Sequence, residues 1–195
     1  MICLSLEPST TSEALVIMRR AFSLADMVEL RLDAFAELDL DRLMANAVGP
    51  VLVTNRSRNE GGCFDGTEDE RCSLIHRAMD LGADYVDIEL RTDAGCLKAL
   101  VDRARGGRTG TRAILSFHDF VKTPSLEQLL SIAEEAFDRG AHMAKLATMA
   151  RTMDDNVTIL QLVSRLRERN LQVTAFCMGE TGRISRLASP LFGSA

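Results

Sequence analysis

The sequence predicts an α/β protein whose parallel strands form a (β/α)8-type barrel, incomplete here with seven strands. Three observations carry that expectation. Short apolar, β-rich runs start near residues 2, 27, 51, 84, 112, 142 and 172. Helical periodicity fills nearly every gap between them, as consecutive parallel strands require covering crossovers. Polar and reactive residues then recur where the runs end, which is where a barrel gathers a site from many strands. A doubly wound sheet would usually carry a glycine-rich phosphate turn after its first strand, and this chain has Leu6-Glu7-Pro8-Ser9-Thr10 there. The chain has 195 residues, whereas a full barrel usually takes about 250. One domain spanning 1–195 is expected.

Composition bounds the function. Hydrophobic residues make up 46% and charged residues 26%, an ordinary globular balance. The net charge of −5 argues against a general nucleic-acid binder, which needs a clustered excess of Lys and Arg. Five cysteines, at 3, 63, 72, 96 and 177, form no Cys-x-x-Cys pair, so neither a zinc site nor a disulfide framework is expected, and a reducing compartment is. The N-terminal Met-Ile-Cys-Leu-Ser-Leu-Glu-Pro has no basic region or long apolar stretch, and no run reaches membrane-spanning length, so a cytoplasmic protein without membrane attachment is expected.

The helices announce themselves in order. Thr10 with Glu13 has capping-box spacing, followed by Leu15, Met18 and Phe22 on one face. Thr67 with Glu70 repeats the cap. Leu97, Leu100, Val101 and Ala104 form one apolar stripe, and Ile159, Leu162, Val163 and Leu166 form another. Ser125 and Gln128 cap a helix through Phe137, and Gly82 and Gly140 sit where a left-handed stop is favoured.

Reactive residues follow the strands. In Val-Glu-Leu-Arg-Leu-Asp (28–33), alternation sends Glu29, Arg31 and Asp33 to one face, the barrel interior or else the exposed side of an edge strand. The third run leads into Thr-Asn-Arg-Ser-Arg-Asn-Glu-Gly-Gly (54–62), where Arg56 and Glu60 stand on a loop whose glycines let backbone approach a ligand, or on a plain solvated loop. The fourth, Asp-Tyr-Val-Asp-Ile-Glu-Leu (84–90), is expected to put Asp87 and Glu89 on opposite faces, leaving one to hold the charged cluster. The fifth and sixth, Ala113 to Phe120 and His142 to Met149, carry His118 and Lys145, 27 positions apart across one crossover. A lysine on a buried strand tends to lose its proton, and a neutral amine attacks carbonyls. The alternatives are a structural ion pair for Lys145 and a hydrogen-bonded core role for His118. After the seventh run, Met178-Gly179 to Ser185-Arg186 offers glycines and a serine to cradle an anion near a helix start, with Arg186 as a fork for a carboxylate, or a simple strand-to-helix turn.

Together these motifs resemble the type I 3-dehydroquinate dehydratases: Glu-Leu-Arg-Leu-Asp (29–33), Arg56 with Glu60-Gly61-Gly62, Ser116-Phe117-His118-Asp119-Phe120, Lys145 in Ala-Lys-Leu-Ala, and Met178-Gly179 to Ser185-Arg186. The resemblance implies a (β/α)8 barrel of the shikimate pathway that converts 3-dehydroquinate to 3-dehydroshikimate without metal or cofactor, as a homodimer. It implies that Lys145 forms an iminium with the substrate ketone, that His118 shuttles protons, and that Glu60 holds the imidazole in its working tautomer. Arg186 would receive the substrate carboxylate. Glu29, Arg31 and Arg56 would bind ring hydroxyls or orient the lysine, Ser5 would join the substrate-binding set, and Met178 would supply an apolar wall. Arg31 or Arg56 would depress the lysine pKa by like-charge repulsion.

Where the family continues into an eighth strand and a last helix, this chain ends at Phe192-Gly193-Ser194-Ala195. The expected consequences are an open edge that the first helix or the tail covers, that a second subunit closes, or that leaves the chain unstable alone, together with weakened substrate affinity and poor order from Arg186 to Ala195. Two other functions compete, a catalytically silent barrel fragment serving as an interaction module and a lysine-dependent class I aldolase.

Overall fold

The computed structural model describes residues 1–107 and 110–195. The chain divides into two compact units, Met1–Ala113 and Ile114–Ala195.

The first unit holds β1 (Cys3–Leu6), α1 (Thr11–Ala21), β2 (Met27–Arg31), α2 (Leu40–Ala45), β3 (Val51–Thr54), α3 (Glu68–Asp80), β4 (Tyr85–Glu89) and α4 (Ala94–Arg105). Its strands pair in parallel in chain order, with Ser5 beside Glu29, Glu29 beside Leu52, and Thr54 beside Asp87. The predicted strand starts hold within a residue. β2 lies between β1 and β3, so its alternating charges do not belong to an edge strand. All four residues of β3 are buried, as a parallel strand covered on both faces should be.

Capping explains where the helices begin. Thr67 accepts from the Glu70 N–H while Glu70 reaches back to the Thr67 N–H, a complete box. Thr10 accepts from the Glu13 N–H, but the Glu13 carboxylate returns to the Ser9 N–H instead. The buried stripe of α1 is Thr11, Ala14, Met18 and Ala21, so of the expected Leu15, Met18 and Phe22 only Met18 is buried and the other two are half-buried. The stripe of α4 is the predicted one in full.

The cysteine expectation fails here. Cys72 on α3 and Cys96 on α4 form a disulfide with Cα atoms 6.4 Å apart. Their spacing matches no motif; two neighbouring helices bring them together. Cysteine usage therefore no longer argues for a reducing compartment.

The second unit contains most of β5 (Arg112–Asp119), then α5 (Leu126–Asp138), β6 (Met143–Met149), α6 (Met153–Glu168), β7 (Val173–Met178) and α7 (Arg183–Phe192). β5, β6 and β7 are parallel and adjacent in that order. Ser125 and Gln128 complete a capping box on α5, and Gly140 takes φ +95° just past its end. The α6 stripe of Ile159, Leu162, Val163 and Leu166 is fully buried; each such leucine contributes roughly 1.5–3 kcal/mol.

The segment from Arg186 onward is helical to Phe192, not poorly ordered. Gly193 at φ +106° ends α7, and Ala195 then donates its N–H to the Val173 carbonyl at 2.8 Å. The Gln172 carbonyl accepts from the Ala144 N–H of β6, so the next carbonyl, that of Val173, points away from β6. The tail thus covers the start of the outer edge of β7. Among the described residues no helix is long and apolar enough to cross a membrane.

Candidate active site

The second unit presents one face of its three strands as a grid. Parallel register puts side chains of paired residues on the same face, and alternation repeats that face every second residue. One row is Ser116, Lys145 and Thr174, and the next, one pleat further along, is His118, Ala147 and Phe176. Met149 and Met178 form the third row. Lys145 and His118 therefore share a face on adjacent strands, one step diagonally apart, with Cα atoms about 8 Å apart by strand geometry. Both are partly accessible, while Ser116 beside the lysine is fully buried. The His118 ring stacks with Phe120 at 6.0 Å between centroids. Opposite this face, Leu115, Phe117, Ala144, Leu146, Val173, Ala175 and Cys177 make the core.

The turn after β7 is built for close approach. A Cβ on Gly182 would lie 2.4 Å from the Met178 carbonyl oxygen, and Gly179 takes φ +79°. Ser185 is no anion cradle. It is completely buried, accepts from the Cys177 N–H and donates to the Gly182 carbonyl, both at 2.8 Å. Its own N–H donates to Asn156 of α6. Arg186, the next residue, is exposed, and its guanidinium lies 4.4 Å over the centre of the Phe176 ring.

The first unit holds a network of charges. Arg31 makes a bidentate pair with Asp33 at 2.9 and 2.7 Å and also meets Glu7. Asp33 accepts two backbone N–H groups as well, from Arg56 and Cys63. Burial pushes the Asp33 carboxyl up, but the Arg31 hydrogen bond, these two N–H groups and the charge of Arg31 outweigh it and hold the group below the usual carboxylate range. Glu29 accepts from the Thr54 hydroxyl at 2.7 Å. Ser5, its register partner on β1, is exposed.

Arg56 is only 4% exposed and pairs with Asp87 at 2.9 Å and Glu89 at 3.5 Å. The expectation of opposite faces for these acids is wrong. Positions 87 and 89 are two apart on one strand, so both face Arg56. Burial pulls the Arg56 pKa down, but the charge and hydrogen bond of Asp87, then Glu89 and Glu29, raise it further still. The guanidinium stays charged and is neutralised by its own carboxylates, which weakens the case for Arg56 as the repeller of a lysine. Glu89 also accepts from the Ser57 N–H and hydroxyl, at 2.7 and 2.6 Å. Glu60 is buried in the short 3₁₀ turn Arg58–Glu60, which Gly61 closes at φ +79°. A Cβ on Gly62 would come 2.1 Å from the Arg56 carbonyl oxygen, so the glycine pair shapes the loop around this network.

Arg71 escaped the sequence reading. It is fully buried on α3, forks onto Glu68 at 2.8 and 2.7 Å, donates to the Asn55 carbonyl and the Thr92 hydroxyl, and approaches Glu89 at 3.7 Å. The signal was present: an arginine in the apolar stripe with Ile75, Ala78 and Met79. Phe176 and Ala147 were likewise missed, each legible only once strand register is known. Among the described residues no three His, Cys, Asp or Glu side chains gather as a metal site.

A family model described as "Type I 3-dehydroquinase" matches residues 2–195. The chain belongs to the type I 3-dehydroquinase family. It is 38% identical over 188 residues to a 3-dehydroquinate dehydratase of Desulfotalea psychrophila, covering 96% of this chain and 82% of that relative. The 3-dehydroquinate dehydratase of Geobacillus kaustophilus superposes with a TM-score of 0.90 at 29% identity, over 100% of this chain and 79% of the other. A type I 3-dehydroquinate dehydratase from Clostridium difficile, solved with covalently modified comenic acid, gives 0.89 at 26% identity, over 100% of this chain and 81% of that one. The fold class is thus that of the type I dehydroquinases, the barrel-type α/β class that the strand and helix alternation predicts.

Proposed function

We propose that this type I dehydroquinase dehydrates 3-dehydroquinate to 3-dehydroshikimate, as a lyase of the shikimate pathway, through an imine on Lys145. The observation that carries the residue assignment is the grid on β5 and β6, where an amine and an imidazole share one face in a chain matched to the family over residues 2–195. The Lys145 amine adds to the ring ketone and water leaves, giving an iminium. That cation draws electrons from the adjacent carbon, so His118 can take its proton; the resulting enamine expels the β-hydroxyl, which leaves as water with a proton from the imidazolium. Hydrolysis of the imine returns the amine, and the cycle uses no metal or cofactor.

In this reading Glu60 fixes the imidazole tautomer, Arg186 receives the carboxylate, Met178 forms an apolar wall, and Glu29, Arg31, Arg56 and Ser5 serve the ring hydroxyls. For Arg56 the ties to Asp87 and Glu89 favour an indirect part, holding Ser57 and the loop in place through Glu89. Residues 1–195 act as one domain in this reading, and a homodimer in the cytoplasm follows from the family resemblance; light scattering of the purified protein tests the dimer.

Incubation with 3-dehydroquinate, borohydride reduction and peptide mass mapping test the reaction. An adduct on Lys145 that disappears in Lys145→Ala is the expected result, with His118→Ala slowing turnover by about 10²–10⁴-fold, the usual worth of general acid–base catalysis. Folded protein with no adduct would identify a silent barrel, and an adduct only with a sugar phosphate would identify an aldolase.

A further inference from the structure

We infer that Phe176 is a positioning residue for substrate binding: its ring is the platform that holds the Arg186 guanidinium ready for a carboxylate, on the face that carries Lys145. The inference rests on the dehydratase reading above and extends it to a residue that the sequence reading passed over.

Four observations lead there. Phe176 stands in the row of His118 and Ala147, one step diagonally from Lys145. Its Cβ therefore rises from the same sheet face as the amine. The Arg186 guanidinium carbon lies 4.4 Å from the ring centre, within cation–π range, so the ring holds the cation over the face that carries the amine. Among the described residues no carboxylate pairs with Arg186, whereas Arg31, Arg56 and Arg71 each spend their forks on carboxylates. Finally, the backbone beneath Arg186 is fixed at both ends of the turn, by Ser185 on Cys177 and by Asn156, which donates to the Thr181 carbonyl and accepts from the Ser185 N–H. With the backbone held, the remaining freedom is in the long arginine side chain, and the ring removes much of it before substrate arrives.

Charge alone would be served by lysine, and apolar filling by leucine. A guanidinium held over an aromatic ring distinguishes the proposal from both. Steady-state kinetics with 3-dehydroquinate on wild type, Phe176→Leu, Phe176→Tyr, Arg186→Lys and the double variant Phe176→Leu/Arg186→Lys test it, with borohydride trapping at Lys145 on each. We expect Phe176→Leu to raise KM about tenfold, the scale of a partly desolvated cation–π contact, with kcat changed less than threefold. Phe176→Tyr, which keeps the ring face, should stay within about twofold of wild type. The double variant should be little worse than Arg186→Lys alone, because the two residues act as a unit.

Equal KM for Phe176→Leu and wild type, equal defects in the Leu and Tyr variants, or additive effects in the double variant would each overturn the proposal while the trapped adduct on wild-type Lys145 leaves the dehydratase reading standing. Absence of that adduct in wild type would overturn both. If Phe176→Leu fails to fold, as circular dichroism would report, the comparison passes to Phe176→Met, which keeps the volume without the ring and should show the same KM defect.

Discussion

At the residue scale, the small side chain of Ala147 is as informative as the reactive ones. It sits between His118 and Phe176 in one row of the sheet face and is completely buried. Lys145 is two residues earlier on the same strand and the same face. A larger residue at 147 would crowd the imidazole and the ring on either side of it and, on the proposed mechanism, any imine formed at the neighbouring Lys145. Ala147→Leu is therefore expected to reduce kcat/KM by at least about 100-fold, since a misplacement near 1 Å carries that penalty. Because Ala147 is completely buried, the added atoms also overpack the row, and the thermal midpoint should fall by the equivalent of ~1–3 kcal/mol without loss of the fold. Kinetics beside a melting curve check both; an unfolded variant or an unchanged kcat/KM would refute the argument. The neighbouring polar rows were only partly legible. Lys145 and His118 stood out as titratable groups in apolar runs and Arg186 as a fork after a glycine-rich turn, but nothing in the string says that 118, 147 and 176 share a row, since register is a property of pairing.

Elements were more readable than sites. Thr67, Ser125 and the α4 and α6 stripes follow from local physics, capping and a 3.6-residue period, so their boundaries could be read directly. The face of α1 was only partly legible: Met18 is buried as expected, but its buried companions are Thr11, Ala14 and Ala21, small residues that an apolar-stripe count passes over. Asp87 and Glu89 were misassigned although the alternation rule, applied strictly, puts them together. The disulfide between α3 and α4 was invisible for another reason, that contact between helices is tertiary. Cys72 and Cys96 are separated by 24 positions in sequence, and constraining a loop of that size in the unfolded chain stabilises the native state by about 3 kcal/mol. Cys72→Ser should lower the urea midpoint correspondingly, and reductant should lower the wild type to the variant's value. Equal midpoints with and without reductant would show the link adds nothing.

For the whole molecule, a net charge of −5 spread over 28 acidic and 23 basic residues conceals a strongly organised interior. Three arginines, Arg31, Arg56 and Arg71, are held by Asp33, Asp87, Glu89 and Glu68 in the first unit. Their burial lowers each arginine pKa, but the paired carboxylates raise it more, so they stay charged at every pH at which the protein is handled. The pH dependence must come from the acids. For Glu68 the Arg71 hydrogen bond leads and burial opposes it; for Asp33 burial leads and is outweighed by Arg31 and two backbone N–H groups. Both carboxyls end below their ordinary values near pH 4. A depressed folded pKa means that the unfolded chain binds the proton more readily, so the stabilisation is complete above the unfolded value and is lost as pH falls through the folded one. Urea midpoints should accordingly be level with respect to these groups from about pH 7 to 5 and fall steeply below about pH 4. Asp33→Asn should lower the neutral midpoint and flatten the acid limb, because the group whose protonation drives part of that slope is gone while Arg31 loses its buried partner. An acid limb of unchanged steepness in the variant would place the pH dependence elsewhere in the molecule.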